Sequence, residues 1–212
     1  RLAIQVEKSS EALAVYAACM QSGIIFLPLN TAYTPAEIEY FISDSGARML
    51  IASDVDKLQS VATANNVILH SMLADGSGSF TRLAGNASDV YVTKQRCGDD
   101  LAAFLYTSGT TGRSKGAMLT QNNLLSNAES LIQEWRFTED DVLLHALPIF
   151  HTHGLFVATN IILLARASMI FLPKFDVDEV FVALPRATSM MGVPTFYNRL
   201  LNDARLVADL TN

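Results

Sequence analysis

Cysteine is almost missing from this sequence. Cys19 and Cys97 are the only two, and they stand far apart without C-x-x-C spacing, which leaves neither a zinc site nor a disulfide framework. A reducing compartment is the simplest reading, the cytoplasm first and the mitochondrial matrix as the alternative. Charge is sparse as well: Asp, Glu, Lys and Arg make up 17% of the residues, the net charge is -6, and no basic run offers nucleic-acid phosphates a stripe to follow. A small anionic substrate stays allowed, because a site needs only local positive charge. The longest mainly apolar stretch, Leu155 to Ala165, is too short to cross a bilayer. There is no internal repeat and no low-complexity tract. The chain opens at Arg1 directly into strand-like sequence and stops at Asn212 without a closing element, so it reads as a fragment.

What remains is a globular composition, half hydrophobic, in 212 residues that suffice for one large domain or two small ones. Leu2 to Val6 reads as a strand, and Ser9 caps a helix that Gly23 stops. Ile24 to Leu29 is strand-like again, and Thr34-Pro35-Ala36-Glu37 is a capping box opening a helix that Gly46 ends. Met49 to Ala52 is the next strand, 54 to 65 a helix and Val67 to His70 a short strand. This alternation predicts an α/β fold of layered sheets with crossover helices. Asp75 to Gly98 reads as irregular, which predicts a first α/β part over 1–98 and a second over 99–212. In the second, Thr120 caps a helix with Trp135 on its apolar face, Val142 to Leu147 is a buried strand, and Gly154 to Ala165 is a helix buried on nearly all sides. Glu139, Asp140 and Asp141 read as a solvated turn, since three consecutive acids cannot face one point.

The most specific stretch is Tyr106-Thr107-Ser108-Gly109-Thr110-Thr111-Gly112-Arg113-Ser114-Lys115-Gly116. An apolar strand leads into five hydroxyls, three glycines and two cations with little bulk to pack a core. Glycines let backbone N–H groups turn toward an anion, the hydroxyls donate further bonds, and Lys115 brings a mobile positive charge. The pattern suits a nucleotide triphosphate. It is not a Walker loop, because Lys115 sits between Ser114 and Gly116, and Ser108 is in no G-x-S-x-G elbow. A flexible surface loop is the alternative reading.

This stretch resembles the signature loop of the adenylate-forming superfamily, which includes acyl-CoA synthetases, luciferases and peptide-synthetase adenylation domains. Most members have proline where this chain has Ser114, and the Arg113-Ser114-Lys115 form is similar to that of malonyl-CoA synthetases. Ala12 to Ile51 also looks like an early structural motif of acyl-CoA synthetases. The resemblance implies that the chain is part of the large N-terminal domain of such an enzyme, with the C-terminal lobe absent. It implies that Thr107, Ser108, Gly109, Thr110, Thr111, Gly112 and Lys115 grip the phosphates of ATP, with Thr107 near a Mg2+ ion.

Pro148-Ile149-Phe150-His151-Thr152-His153-Gly154 follows a buried strand, where a parallel sheet opens its site. A metal pair would need a third ligand, and none has suitable spacing. Histidines satisfied by backbone partners are the other reading. By resemblance, His151 lies between an acyl pocket and a CoA tunnel, acting with Lys115 in catalysis, while Thr152 and His153 line the pocket. Arg199, beside the apolar face carrying Phe196, Leu200 and Leu201, either snorkels to water or forks a second carboxylate. Gly192 to Arg199 resembles the stretch where malonyl-CoA synthetases would make that recognition.

The expectation is therefore an AMP-forming acid:CoA ligase that uses ATP, Mg2+ and CoA and takes malonate as its small carboxylate. The fragment alone is expected to be inactive or impaired. No nucleic acid and no membrane span belong to this reading, and oligomeric state is not legible. A domain that loads a carrier-protein thiol and a non-catalytic nucleotide binder are the rivals.

Overall fold

The computed structural model describes residues 1–107 and 114–206, and the chain divides into compact units over 1–124 and 125–212. In the first unit the elements are β1 (Leu2–Gln5), α1 (Ser10–Ser22), β2 (Phe26–Pro28), α2 (Pro35–Ser45), β3 (Met49–Ala52), α3 (Val55–Ala64), β4 (Ile68–Ser71), α4 (Ser79–Gly85), β5 (Leu101–Thr107) and β6 (Lys115–Thr120). They build a six-stranded sheet in the order β4-β3-β1-β2-β5-β6, parallel except for the antiparallel pair β5–β6. All five parallel strands therefore end on one edge, and β6 begins there, with Lys115 opposite Thr107. The core gathers Leu27, Ile38, Phe41, Ile42, Leu50, Leu58, Phe104 and Tyr106.

The helix boundaries follow their caps. The Ser9 hydroxyl accepts from the Ala12 N–H, and Gly23 ends α1 in the left-handed region at φ 69°. At α2 the Thr34 hydroxyl accepts from the Glu37 N–H while the Glu37 carboxylate accepts from the Thr34 N–H at 2.8 Å, so both orphan donors are satisfied. At α3 the Asp54 carboxylate accepts from the Lys57 N–H, without a reciprocal bond.

Two readings of this unit change. The segment expected to be irregular from Asp75 contains α4, anchored where the Ser71 N–H donates to the Ser79 hydroxyl oxygen and the Ser79 N–H to that of Ser71, each at 2.9 Å. Such a tertiary pairing leaves no local pattern. The division falls after Leu124 instead of after Gly98, because β5 pairs with β2 and carries β6 into the first sheet.

The boundary lies inside α5 (Gln121–Trp135), whose start is capped where the Asn123 N–H donates to the Thr120 hydroxyl. The second unit continues with β7 (Val142–His145), a π-helical turn His153–Thr159, α6 (Asn160–Ala165), β8 (Ser168–Phe171), α7 (Val177–Ala183), β9 (Ser189–Met191) and α8 (Pro194–Leu201). Its sheet has the order β8-β7-β9, all parallel. Ala128, Leu143, Leu147, Ile161 and Ile162 form one cluster, and Leu144, Val180 and Leu200 belong to another.

Trp135, expected in the core, is 49% exposed: Leu124 and Ala128 are the buried positions of α5, and the indole stands at the helix end beside Phe137. The helix expected to be buried throughout begins as the π-helical turn, and Leu163 and Leu164 of α6 are exposed. A wider turn takes an extra residue, so the face shown to the core rotates along the segment.

Candidate functional site

Thr107 and Lys115 form the last register pair of the β5–β6 hairpin, and both are exposed. The residues between them that were predicted to hold phosphates, Ser108, Gly109, Thr110, Thr111 and Gly112, lie outside the described residues. The hairpin's approach is well defined. Tyr106 is buried against Phe41 at 4.5 Å between ring centroids and lies edge-on to Tyr40 at 6.0 Å. Its register partner is Gly116, and a Cβ there would come within 3.1 Å of the phenol ring, so glycine lets the tyrosine lie across the neighbouring strand.

The Tyr106 hydroxyl donates to Asp44 Oδ2 at 2.6 Å, and the Tyr40 hydroxyl donates to the Ser114 carbonyl at 2.8 Å. Burial, and then the Asp44 carboxylate, push the Tyr106 pKa far above its ordinary value, so the phenol remains a donor. Sequence reading found Tyr106 only as the residue before the loop and missed Tyr40 and Asp44. Their one signal was the i, i+4 spacing on the helix that the capping box opens.

In the second unit, β7 ends at His145, and the histidine segment follows it around a tight corner. A Cβ on Gly154 would stand 2.1 Å from the Pro148 carbonyl oxygen, so no side chain fits where the chain returns on itself. The buried His145 closes the corner: its Nε2 lies 2.8 Å from the Gly154 carbonyl, and a carbonyl only accepts, so Nε2 carries the proton. The Thr159 hydroxyl donates to the same carbonyl at 2.9 Å. His145 passed unnoticed in the sequence because it occupies a strand position among apolar residues.

His151 and Thr152 are exposed on this corner, and His153 is half-buried. The Phe150 ring stands edge-on to His151 at 4.7 Å, and partial desolvation of the still solvent-accessible ring lowers the His151 pKa from its ordinary value. The ring is thus held toward its neutral form. A cavity of about 400 Å³ is lined by His153 together with Trp135, Phe137, Met190, Gly192 and Tyr197. Ser189 lines it as well, and its hydroxyl oxygen is buried and has no hydrogen-bond partner among the described residues.

Arg199 does not line that cavity. It is exposed on α8, with its guanidinium carbon 5.0 Å from the centroid of Phe175, and Phe175 stacks on Phe196 at 3.9 Å. No carboxylate among the described residues forms an ion pair with it. The structure therefore groups His153 with Tyr197 and leaves Arg199 on a neighbouring aromatic stack. Among the described residues no set of three or more His, Cys, Asp or Glu side chains could hold a metal ion.

Known proteins have chains similar to this one. A family described as AMP-binding enzyme matches residues 1–211. The malonate–CoA ligase of Arabidopsis thaliana is 30% identical over 217 residues, taking in 95% of this chain and 36% of that protein. The mitochondrial malonate–CoA ligase ACSF3 of Homo sapiens is 31% identical over 198 residues, 91% of this chain and 34% of its own length. Among solved structures, ATP-bound MatB from Rhodopseudomonas palustris superposes with a TM-score of 0.96 at 54% identity, covering 100% of this chain and 42% of that one. The chain thus spans about a third of the length of these curated relatives. Its mixed α/β fold is that of the corresponding part of the acyl-CoA synthetases.

Proposed function

The chain belongs to the family of AMP-binding enzymes, and on that premise we propose that it is the ATP-gripping and acid-binding part of an AMP-forming acid:CoA ligase whose acid is malonate. The observation that supports this best is the hairpin mouth. Thr107 and Lys115 face each other where parallel strands end, so the hydroxyl- and glycine-rich segment between them starts and finishes where such sheets receive ligands. The malonate–CoA ligases among its relatives support the choice of acid.

In the proposed reaction a carboxylate oxygen of malonate attacks the α-phosphorus of ATP and pyrophosphate leaves, giving an acyl-adenylate. The thiol of CoA then attacks the acyl carbon and AMP leaves. Both steps bring anions together, so the protein's contribution is mainly positioning and charge neutralisation. Lys115 sets its ammonium against the β and γ phosphates, while Thr107, Ser108, Thr110 and Thr111 donate hydroxyl hydrogen bonds and Gly109 and Gly112 turn backbone N–H groups inward. His151, held toward the neutral form, offers a polar ring beside the acyl group without adding charge there. Thr152 and His153 shape the acyl pocket, and Arg199 supplies paired donors for the second carboxylate. Mg2+ fits here as a companion of the triphosphate: a single Thr107 hydroxyl is too weak a donor set to hold it, and such ions commonly keep phosphate and water ligands. We assign the chain by itself a poor turnover, as it spans less than half of the proteins it matches.

The test is a carboxylic-acid panel on the full-length ligase carrying this chain, read as pyrophosphate and AMP release with and without CoA. Malonate should be preferred, and AMP release should require CoA. Lys115→Ala should slow adenylation by tenfold or more, the rough scale for losing one charged contact to phosphate. Arg199→Ala should erase the preference for malonate over propionate. Unchanged pyrophosphate release in the lysine variant removes the phosphate-loop role, and an unchanged preference in the arginine variant removes the carboxylate fork.

A further inference from the structure

Helix α2 reaches both sides of the hairpin mouth. Tyr40 and Asp44 are one turn apart on it, and both are hydrogen-bonded across to the hairpin: Tyr40 donates to the carbonyl of Ser114, the residue before β6, and Asp44 accepts from the phenol of Tyr106, the penultimate residue of β5. The two contacts therefore bracket residues 107–113 from opposite ends. Tyr106 is also wedged between Phe41 and the ring edge of Tyr40, with Tyr33 packed on Phe41 at 4.9 Å.

The helix making these contacts is itself rigidly held. It has a complete capping box and Pro35 in its first turn, a left-handed Gly46 at its end, and Ile38, Phe41 and Ile42 in the core. A hairpin mouth alone has no such support, since strand pairing fixes register but leaves the ends free to splay. Nothing in core packing requires a phenol oxygen aimed at the Ser114 carbonyl: Tyr40 is only half-buried and Asp44 is exposed.

From this juxtaposition we propose that Tyr40 and Asp44 are positioning residues for the phosphate loop, setting the separation and angle of Thr107 and Lys115 so that both reach one triphosphate. The inference rests on the reading of that loop as the ATP phosphate grip. It adds that the positions of Thr107 and Lys115 are set from α2, so removing a contact that never touches nucleotide weakens nucleotide binding.

The test measures binding of ATP and of AMP by calorimetry to the full-length protein carrying this chain and to its Tyr40→Phe, Asp44→Ala, Asp44→Asn and Lys115→Ala variants, with the Tm of each. Tyr40→Phe and Asp44→Ala should bind ATP roughly three- to tenfold more weakly, the range that one neutral or singly charged hydrogen bond supplies, and AMP unchanged. Asp44→Asn keeps an acceptor for the Tyr106 hydroxyl and should recover most of the loss. If the Tyr40 and Asp44 variants lose Tm but keep wild-type ATP affinity, the contacts are merely structural and the proposal is overturned. If Lys115→Ala weakens ATP binding while Tyr40→Phe does not, the loop reading stands and the α2 role falls. If Lys115→Ala has no effect, or the full-length wild type holds ATP no better than AMP, the loop reading fails and takes this inference with it.

Discussion

At the scale of single residues, the informative side chains are polar groups held in particular protonation states. His151 stands against Phe150, and burial favours its uncharged ring, so its pKa in the fold lies below the ordinary value of about 6.5. Between the two values the unfolded chain binds more protons than the folded one. The stability linked to this residue is therefore complete above the unfolded pKa and is lost as pH falls through it. A proton NMR titration of the His151 ring should give a midpoint under about 6.5, and a midpoint at or above that value would refute the shielding. Arg199 teaches a different lesson. Of its expected apolar neighbours Phe196 and Leu200 do pack inward while Leu201 is exposed, and the guanidinium rests on Phe175, twenty-four positions earlier in the chain, which no helical periodicity could reveal.

At the scale of elements, caps and corners carry the organisation. The starts of α1, α2 and α3 were readable because each is set by a side chain within three residues of the N–H it satisfies. The corner from Pro148 to Gly154 was readable as a motif but not as a shape, because its closeness comes from Gly154 lying under the Pro148 carbonyl and from His145 reaching across from β7. Gly154→Ala should destabilise the protein by about 2 kcal/mol or more, the cost of forcing a methyl group into a filled contact. Urea denaturation checks this, and an unchanged midpoint would mean that the backbone approach is looser than described. The π-helical turn is a further case: apolar composition announced a buried helix, while the wider winding that exposes Leu163 and Leu164 depends on how the corner before it closes.

For the whole molecule, two units with separate cores replace the expected division at residue 98, and the phosphate-loop hairpin belongs to the first sheet. The two cysteines report on that fold. Cys19 is packed inside α1's buried face, where burial pushes its thiol up to about 12, whereas Cys97 is exposed. Titration with an aromatic disulfide reagent near pH 8 should count one reactive thiol in the native protein and two after denaturation, since only the thiolate attacks. Two fast thiols in the native state would show that the first core opens readily.

The amino-acid sequence by itself determined the local grammar of this protein: alternating strands and helices, their caps, a hydroxyl- and glycine-rich stretch following a strand, and the family likeness that stretch carries; that a second strand, β6, follows it and not a helix was decided by the fold. Each of those rests on interactions between residues a few positions apart, so spacing alone encodes them. Tertiary structure alone decided that Tyr40 and Asp44 hold the mouth of the hairpin, that His145 locks the corner before the π-helical turn, and that Arg199 lies on an aromatic stack outside the cavity. The hydrogen bonds and ring contacts responsible join residues from nine to seventy-four positions apart, and their partners are chosen by how strands and helices pack, which a linear pattern does not record.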